Sequence, residues 1–132
     1  MIRQATSADN NEILAVINDA ACRYRGVIPA DLYKEPYMTA AHLQAELAAG
    51  VQLAVKELDG QIVGVMGTQD KGEVCIVRHS YVRQAFQKRG IGAELIKAHR
   101  AASSGRPMLV GCLTTMTWAI AFYQRHGFQL VS

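Results

Sequence analysis

The sequence predicts one α/β domain whose sheet is antiparallel at the start and takes in a parallel crossover near the end. Three observations predict it. Two β-patterned runs, 51–58 and 61–68, flank Asp59-Gly60, a dipeptide that accepts positive φ at both turn positions and closes tight hairpins. Across residues 83–89 the hydrophobic period changes from two to helical. A nearly all-apolar run, PMLVGCL (107–113), then follows a helical segment, giving the strand, helix, strand order of a crossover.

Each element has its own local reason. IRQA (2–5) forms a short first strand, and Asp9 with Glu12 makes an N-capping pair for a helix running to about Arg25. Ile13, Ile17, Ala20 and Tyr24 give that helix one apolar stripe. Residues 25–39 carry Pro29 and Pro36 and break the period, so they form a long exposed connection, the kind of segment that holds function. A second helix runs from Thr39, with Leu43 and Leu47 stacked, to a stop at Gly50. After the hairpin, Asp70-Lys71-Gly72 repeats the turn chemistry and 73–82 is the third strand of a meander. Ile91, Leu95, Ala98 and Ala102 mark the crossover helix, ended by Gly105 and Pro107. The run 107–113 has the profile of a strand buried on both faces. A last helix spans Thr115 to Gly127, with Trp118 and Phe122, then Ala119 and Tyr123, four apart, and 128–131 begins a final strand.

Composition narrows the function. A chain of 132 residues, 50% of them hydrophobic, suits one domain over 1–132. No apolar run is long enough to cross a bilayer and the start lacks a secretion-signal profile, so a soluble, cytoplasmic protein with no membrane partner is expected. Cys22, Cys75 and Cys112 are far apart, with no CxxC pair and no histidine at ligand spacing, so buried thiols and no metal site are expected. The formal charge of +3 suits an anionic ligand as well as weak nucleic-acid affinity. Arg78, Arg83, Lys88, Arg89 and Arg100 share no clear face and no recognition motif, so no nucleic-acid partner is expected.

The chemistry concentrates in QKRGIGAEL (87–95), where two cations and two spaced glycines precede a helix. Helix N-termini expose unpaired N–H groups, and glycines let an anion approach them. A dinucleotide fingerprint requires a third glycine where Glu94 stands, and a Walker loop requires Gly-Lys-Ser/Thr where Gly92 is followed by Ala93 and Glu94. The third option fits. Gln87-Lys88-Arg89-Gly90-Ile91-Gly92-Ala93, preceded by Tyr81-Val82, resembles the (Gln/Arg)-x-x-Gly-x-(Gly/Ala) loop of the GNAT superfamily of N-acetyltransferases. Residues 119–128, AIAFYQRHGF, are similar to that family's later A-x-x-F-Y-x-x-x-G-F segment. With the element order, the likeness covers nearly the whole chain.

The resemblance implies a mixed, mostly antiparallel α/β (α+β) sheet with helices on both faces, the GNAT-like acyl-CoA N-acyltransferase fold. It implies acetyl-CoA as cofactor, its pyrophosphate held by the backbone of Gln87, Lys88, Arg89, Gly90, Ile91, Gly92 and Ala93, with Tyr81 and Val82 supplying backbone groups to the pantetheine arm and the thioester oxygen. The activity implied is acetyl transfer to a primary amine, carried by a small molecule or a peptide, in a ternary complex. Tyr123 becomes the acid that protonates the leaving sulfur; the alternative is a core aromatic stacked on Ala119. For the base, Glu73 opens the third strand and His79 lies on it, and period-two alternation places both on one face with Cys75, Val77 and Tyr81. A solvated turn carboxylate and a structural histidine are the alternatives, as is a water relay. The loop with Asp31, Tyr33, Glu35 and Tyr37 is where the acceptor is expected to dock.

Two departures bear on activity. Met116 stands where members often have a cofactor-contacting asparagine, and the sequence ends at Ser132, before the final strand that usually completes the sheet. Truncation, an edge supplied by a partner chain as in a homodimer, or an exposed edge are the readings of the second. Both departures motivate the alternative of a catalytically silent acyl-CoA-binding sensor or regulatory module.

Overall fold

The computed structural model describes residues 1–112 and 115–130. The chain runs β1 (Ile2–Gln4), α1 (Asn10–Ala21), α2 (Ala40–Ala48), β2 (Val51–Leu58), β3 (Gln61–Asp70), β4 (Cys75–Val82), α3 (Ile91–Ala102), β5 (Met108–Leu109) and α4 (Thr117–Arg125), with short 3₁₀ turns between. The strands form one sheet in the order β1-β2-β3-β4-β5. All neighbours are antiparallel except β4 and β5, which are parallel and joined through α3.

The sheet separates two apolar layers. On one face Ile13, Val16 and Ile17 of α1 and Leu43 of α2 pack with Val51, Val55, Ile62 and Val65. On the other, Ile91, Leu95 and Ile96 of α3 and Tyr123 of α4 pack with Val63, Met66 and Val77. Alternating side chains along β2 and β3 feed both layers, as the pleat requires.

The expected turns form as their chemistry dictates. Asp59 and Gly60 both take positive φ, 50° and 77°, and close the β2–β3 hairpin. Thr39 caps α2 by accepting a hydrogen bond from the His42 N–H at 3.1 Å. The start of α1 differs from expectation: Asp9 accepts from the Thr6 N–H at 2.8 Å, in a capping box one turn earlier, and its carboxylate also takes both terminal nitrogens of Arg3. Glu12 instead accepts from the Ile62 N–H at 2.7 Å, fastening α1 to β3. The helix ends at Ala21, leaving Tyr24 in a 3₁₀ turn.

The C-terminal third departs more. The run 107–113 does not form a strand buried on both faces: β5 is Met108–Leu109 alone, an edge that pairs only with Cys75 and Ile76, and Leu109 is half exposed. Leu113 lies outside the described residues. Residues 128–130 take no strand pairing, and Val131 lies outside the description.

A bulge interrupts β4. Val65 faces Tyr81 and Gly67 faces Arg78, so two residues, His79 and Ser80, oppose Met66. His79 sits at φ 60°. Val77 joins the α3 layer while Tyr81 packs against the α1 layer, so the expected single face of Cys75, Val77, His79 and Tyr81 is split at the bulge.

Candidate active site

The parallel pair β4–β5 is laddered only at Cys75 and Ile76, so from Val77 to Val82 the strand has no partner on that side among the described residues. Strands that part leave backbone groups available and open a gap between the layers. A cleft of about 380 Å³ occupies this place, a size within the usual range for small-molecule sites. Its lining includes Val77, His79, Ser80 and Tyr81 of β4, Cys112 beyond β5, and Met116, Ala119 and Tyr123 of α4.

At the carboxyl end of β4 the chain turns into α3. Gln87 ties the turn shut by donating its side-chain N–H to the Val82 carbonyl at 3.1 Å, so that carbonyl is already taken. Gln84 anchors it to α1, donating its backbone N–H to the Asp19 carboxylate at 2.7 Å. Lys88 and Gly90 follow at φ 64° and 80°, and Gly90 is the N-cap of α3. The first hydrogen bond of the helix runs from the Glu94 N–H to the Gly90 carbonyl, and the N–H groups of Ile91, Gly92 and Ala93 donate to nothing among the described residues. Ile91 itself is buried, so it offers only backbone. Lys88 and Arg89 are exposed, and the Arg89 guanidinium lies 5.0 Å from the Phe86 ring centre.

The two glycines have different reasons. Gly90 has open space where a Cβ would stand, and its positive φ is what favours glycine over larger residues. At Gly92 a Cβ would come within 3.1 Å of the Phe122 ring of α4, so glycine there sets how closely α3 and α4 approach. Phe122 in turn packs edge-on against Tyr123, with ring centres 5.1 Å apart.

Tyr123 is buried and lines the cleft. Burial raises its pKa above the usual 10, a nearby Ser80 hydroxyl acting in the opposite direction, so the phenol stays protonated. Burial also raises the Cys112 thiol beside it. Tyr24 is pushed up to about 12, chiefly by burial, and Tyr81 lies well above its ordinary value for the same reason. Tyr24 packs with Tyr37, Tyr81 and Trp118 at ring-centre distances of 5.2, 6.2 and 6.1 Å.

His79 lines the cleft and its Nε2 lies 2.8 Å from Glu46 Oε1 of α2. His42 reaches the same carboxylate oxygen at 3.5 Å. With Nε2–H donating to Glu46, the lone pair of His79 is on Nδ1. Glu73 does not share this position: it is exposed in the turn before β4 and lies outside the cleft lining, because β4 begins two residues later than expected.

Of the four residues expected at the acceptor loop, Tyr37 alone is part of the lining, and Tyr33 stacks on it at 6.2 Å. Glu35 is ion-paired with Arg25 and accepts from the Tyr33 hydroxyl, and Asp31 is exposed; neither carboxylate reaches the cleft. Tyr24, Glu46, Ser80 and Cys112 join the site without having been singled out for it in the sequence. The end of the α1 stripe could have flagged Tyr24; nothing local points Glu46 at a residue 33 positions on.

No helix among the described residues is long and apolar enough to cross a membrane, and no group of three or more potential metal ligands occurs among them.

A family model described as an acetyltransferase (GNAT) domain matches residues 49–130. Among solved structures, the chain is similar to the PaiA N-acetyltransferase of Thermoplasma acidophilum, solved in complex with coenzyme A, with a TM-score of 0.83 and 14% identity over 99% of this chain and 90% of that one. A GNAT family acetyltransferase from Brucella melitensis, in complex with acetyl-CoA, aligns with a TM-score of 0.72 and 25% identity over 98% of this chain and 82% of the other. A ribosomal-protein-alanine N-acetyltransferase from the same organism aligns at 0.72 and 24% over 100% and 86%. No protein among the curated sequences matches the chain.

Proposed function

The chain belongs to the acetyltransferase (GNAT) domain family, and from that premise we propose that it transfers an acetyl group from acetyl-CoA to a primary amine by direct transfer in a ternary complex. The observation that carries the reading is a pair of features on β4 and the element that follows it. Three N–H groups at the start of α3, beyond the turn that leaves β4, donate to nothing among the described residues, and the gap beside β4 is lined by Tyr123 and His79. A diphosphate at the helix start gains the oriented donors and roughly 0.3–1 kcal/mol from the helix dipole. Lys88 and Arg89 add positive charge at the rim.

Acetyl-CoA supplies an activated thioester; the residues of the cleft handle the protons. An alkylammonium has a pKa of about 10.4 and must lose a proton before it attacks. His79 takes that proton on Nδ1, held in this tautomer by Glu46. As the amine nitrogen bonds to the acetyl carbon and the C–S bond breaks, the Tyr123 phenol would give its proton to the departing sulfur, and its phenolate would take the remaining proton from the nitrogen, leaving a neutral amide and restoring the phenol. Burial keeps Tyr123 in the protonated form that this role needs.

The test is release of coenzyme A across a panel of primary amines, with acetyl-CoA binding measured separately. Tyr123→Phe is expected to lower kcat by about 10²-fold or more, the scale of general acid catalysis, with acetyl-CoA affinity nearly unchanged. An unchanged kcat would remove Tyr123 from the acid role. The second reading, a silent acyl-CoA sensor, is favoured by Met116 lining the cleft at the start of α4. It predicts binding with no coenzyme A released by any amine.

A further inference from the structure

We infer that the acceptor is a primary amine on an uncharged, ring-sized apolar body, an arylalkylamine rather than a polyamine, amino acid or peptide; this rests on the transferase reading above. The cleft lining, among the described residues, contains no aspartate, glutamate, lysine or arginine. Much of the lining is instead aromatic and aliphatic: Tyr24, Tyr37 and Tyr81 with Ile28, Leu32 and Met116. The tyrosines form one packed group that extends to Tyr33 and Trp118, so the wall is held by ring-on-ring contacts.

Several charges on the surrounding elements are engaged elsewhere, and Asp31 is exposed outside the lining. Glu46 is tied to His79 and His42, Glu35 to Arg25, and the Arg23 guanidinium lies over the Trp118 ring at 4.2 Å. A second ammonium or a carboxylate on the acceptor would therefore leave water without a counter-ion, and an unpaired buried charge is strongly disfavoured. A single amine faces no such penalty, because His79 with Glu46 accepts its proton. An apolar ring matches the tyrosine wall in shape and polarity.

Calorimetric titration in the presence of coenzyme A separates the possibilities, with phenethylamine, spermidine, lysine and a neutral tetrapeptide as probes. Phenethylamine is expected to bind at least tenfold more tightly than each of the others and, where turnover occurs, to lead by the same factor in kcat/KM. Leu32→Glu places a carboxylate at the exposed rim and is expected to shift the ratio at least tenfold toward spermidine. Equal or tighter binding of spermidine, lysine or the peptide, or no binding of phenethylamine, overturns the assignment. Binding in the expected order with no coenzyme A release overturns the transferase reading while the pocket assignment stands.

Discussion

Two glycines two positions apart do different work. Gly90 is required by its backbone, since a left-handed φ costs an ordinary residue about 1–2 kcal/mol, and Gly90→Ala is expected to lose that much in thermal or denaturant unfolding. Gly92 is required by a neighbour: a valine there would push the Phe122 ring, which packs on Tyr123. Gly92→Val is therefore expected to lower kcat at saturating acetyl-CoA, beyond any effect on affinity; an unchanged kcat would separate the two residues. The sequence presents both as one phosphate-loop pattern, because the contact that distinguishes them comes from a helix about 30 residues away. The sequence singled out Tyr123 through its segment and the residue lines the cleft, whereas the Glu46–His79 contact was not readable, since it depends on where α2 lands on the sheet. Burial disfavours the phenolate of Tyr123, so any alkaline loss of kcat from its ionisation is expected above pH 10, as a kcat–pH profile would reveal.

At the scale of elements, the hairpin at Asp59-Gly60 and the cap at Thr39 were readable because their causes lie within a few residues. The bulge in β4 was not, because it is a mismatch in count between two strands, and it reverses which face His79 and Tyr81 take. The shortness of β5 was equally hidden: an apolar run specifies a buried strand only if a partner lies along its whole length, and β4 diverges after Ile76. The α3 helix carries a pH-sensitive anchor. His99 is largely buried against β3, its Nε2 2.7 Å from the Met66 carbonyl, and burial lowers its pKa below the ordinary 6.5. The unfolded chain therefore binds a proton at this site at higher pH than the folded one. This contribution to stability is present above about pH 6.5 and declines as pH falls toward the folded value. Denaturant midpoints measured between pH 8 and pH 5 are expected to fall, and His99→Gln is expected to flatten that part of the slope.

For the molecule as a whole, the sheet is an antiparallel meander with apolar layers on both faces, opened on one side where the last parallel strand stops. The element order predicted this mixed sheet, and the family match over 49–130 agrees with it. A ligand that binds only the folded state stabilises it by mass action, about 2.7 kcal/mol at a hundredfold excess over Kd. Acetyl-CoA at that excess is expected to raise the melting temperature by several degrees, and nucleic acid to leave it unchanged. The most direct measurement is a crystal structure of the protein with acetyl-CoA bound. The diphosphate is expected on the N–H groups of Ile91, Gly92 and Ala93, with the thioester in the gap between β4 and β5 beside Tyr123; a diphosphate seated anywhere else on the chain would contradict the assignment of this loop.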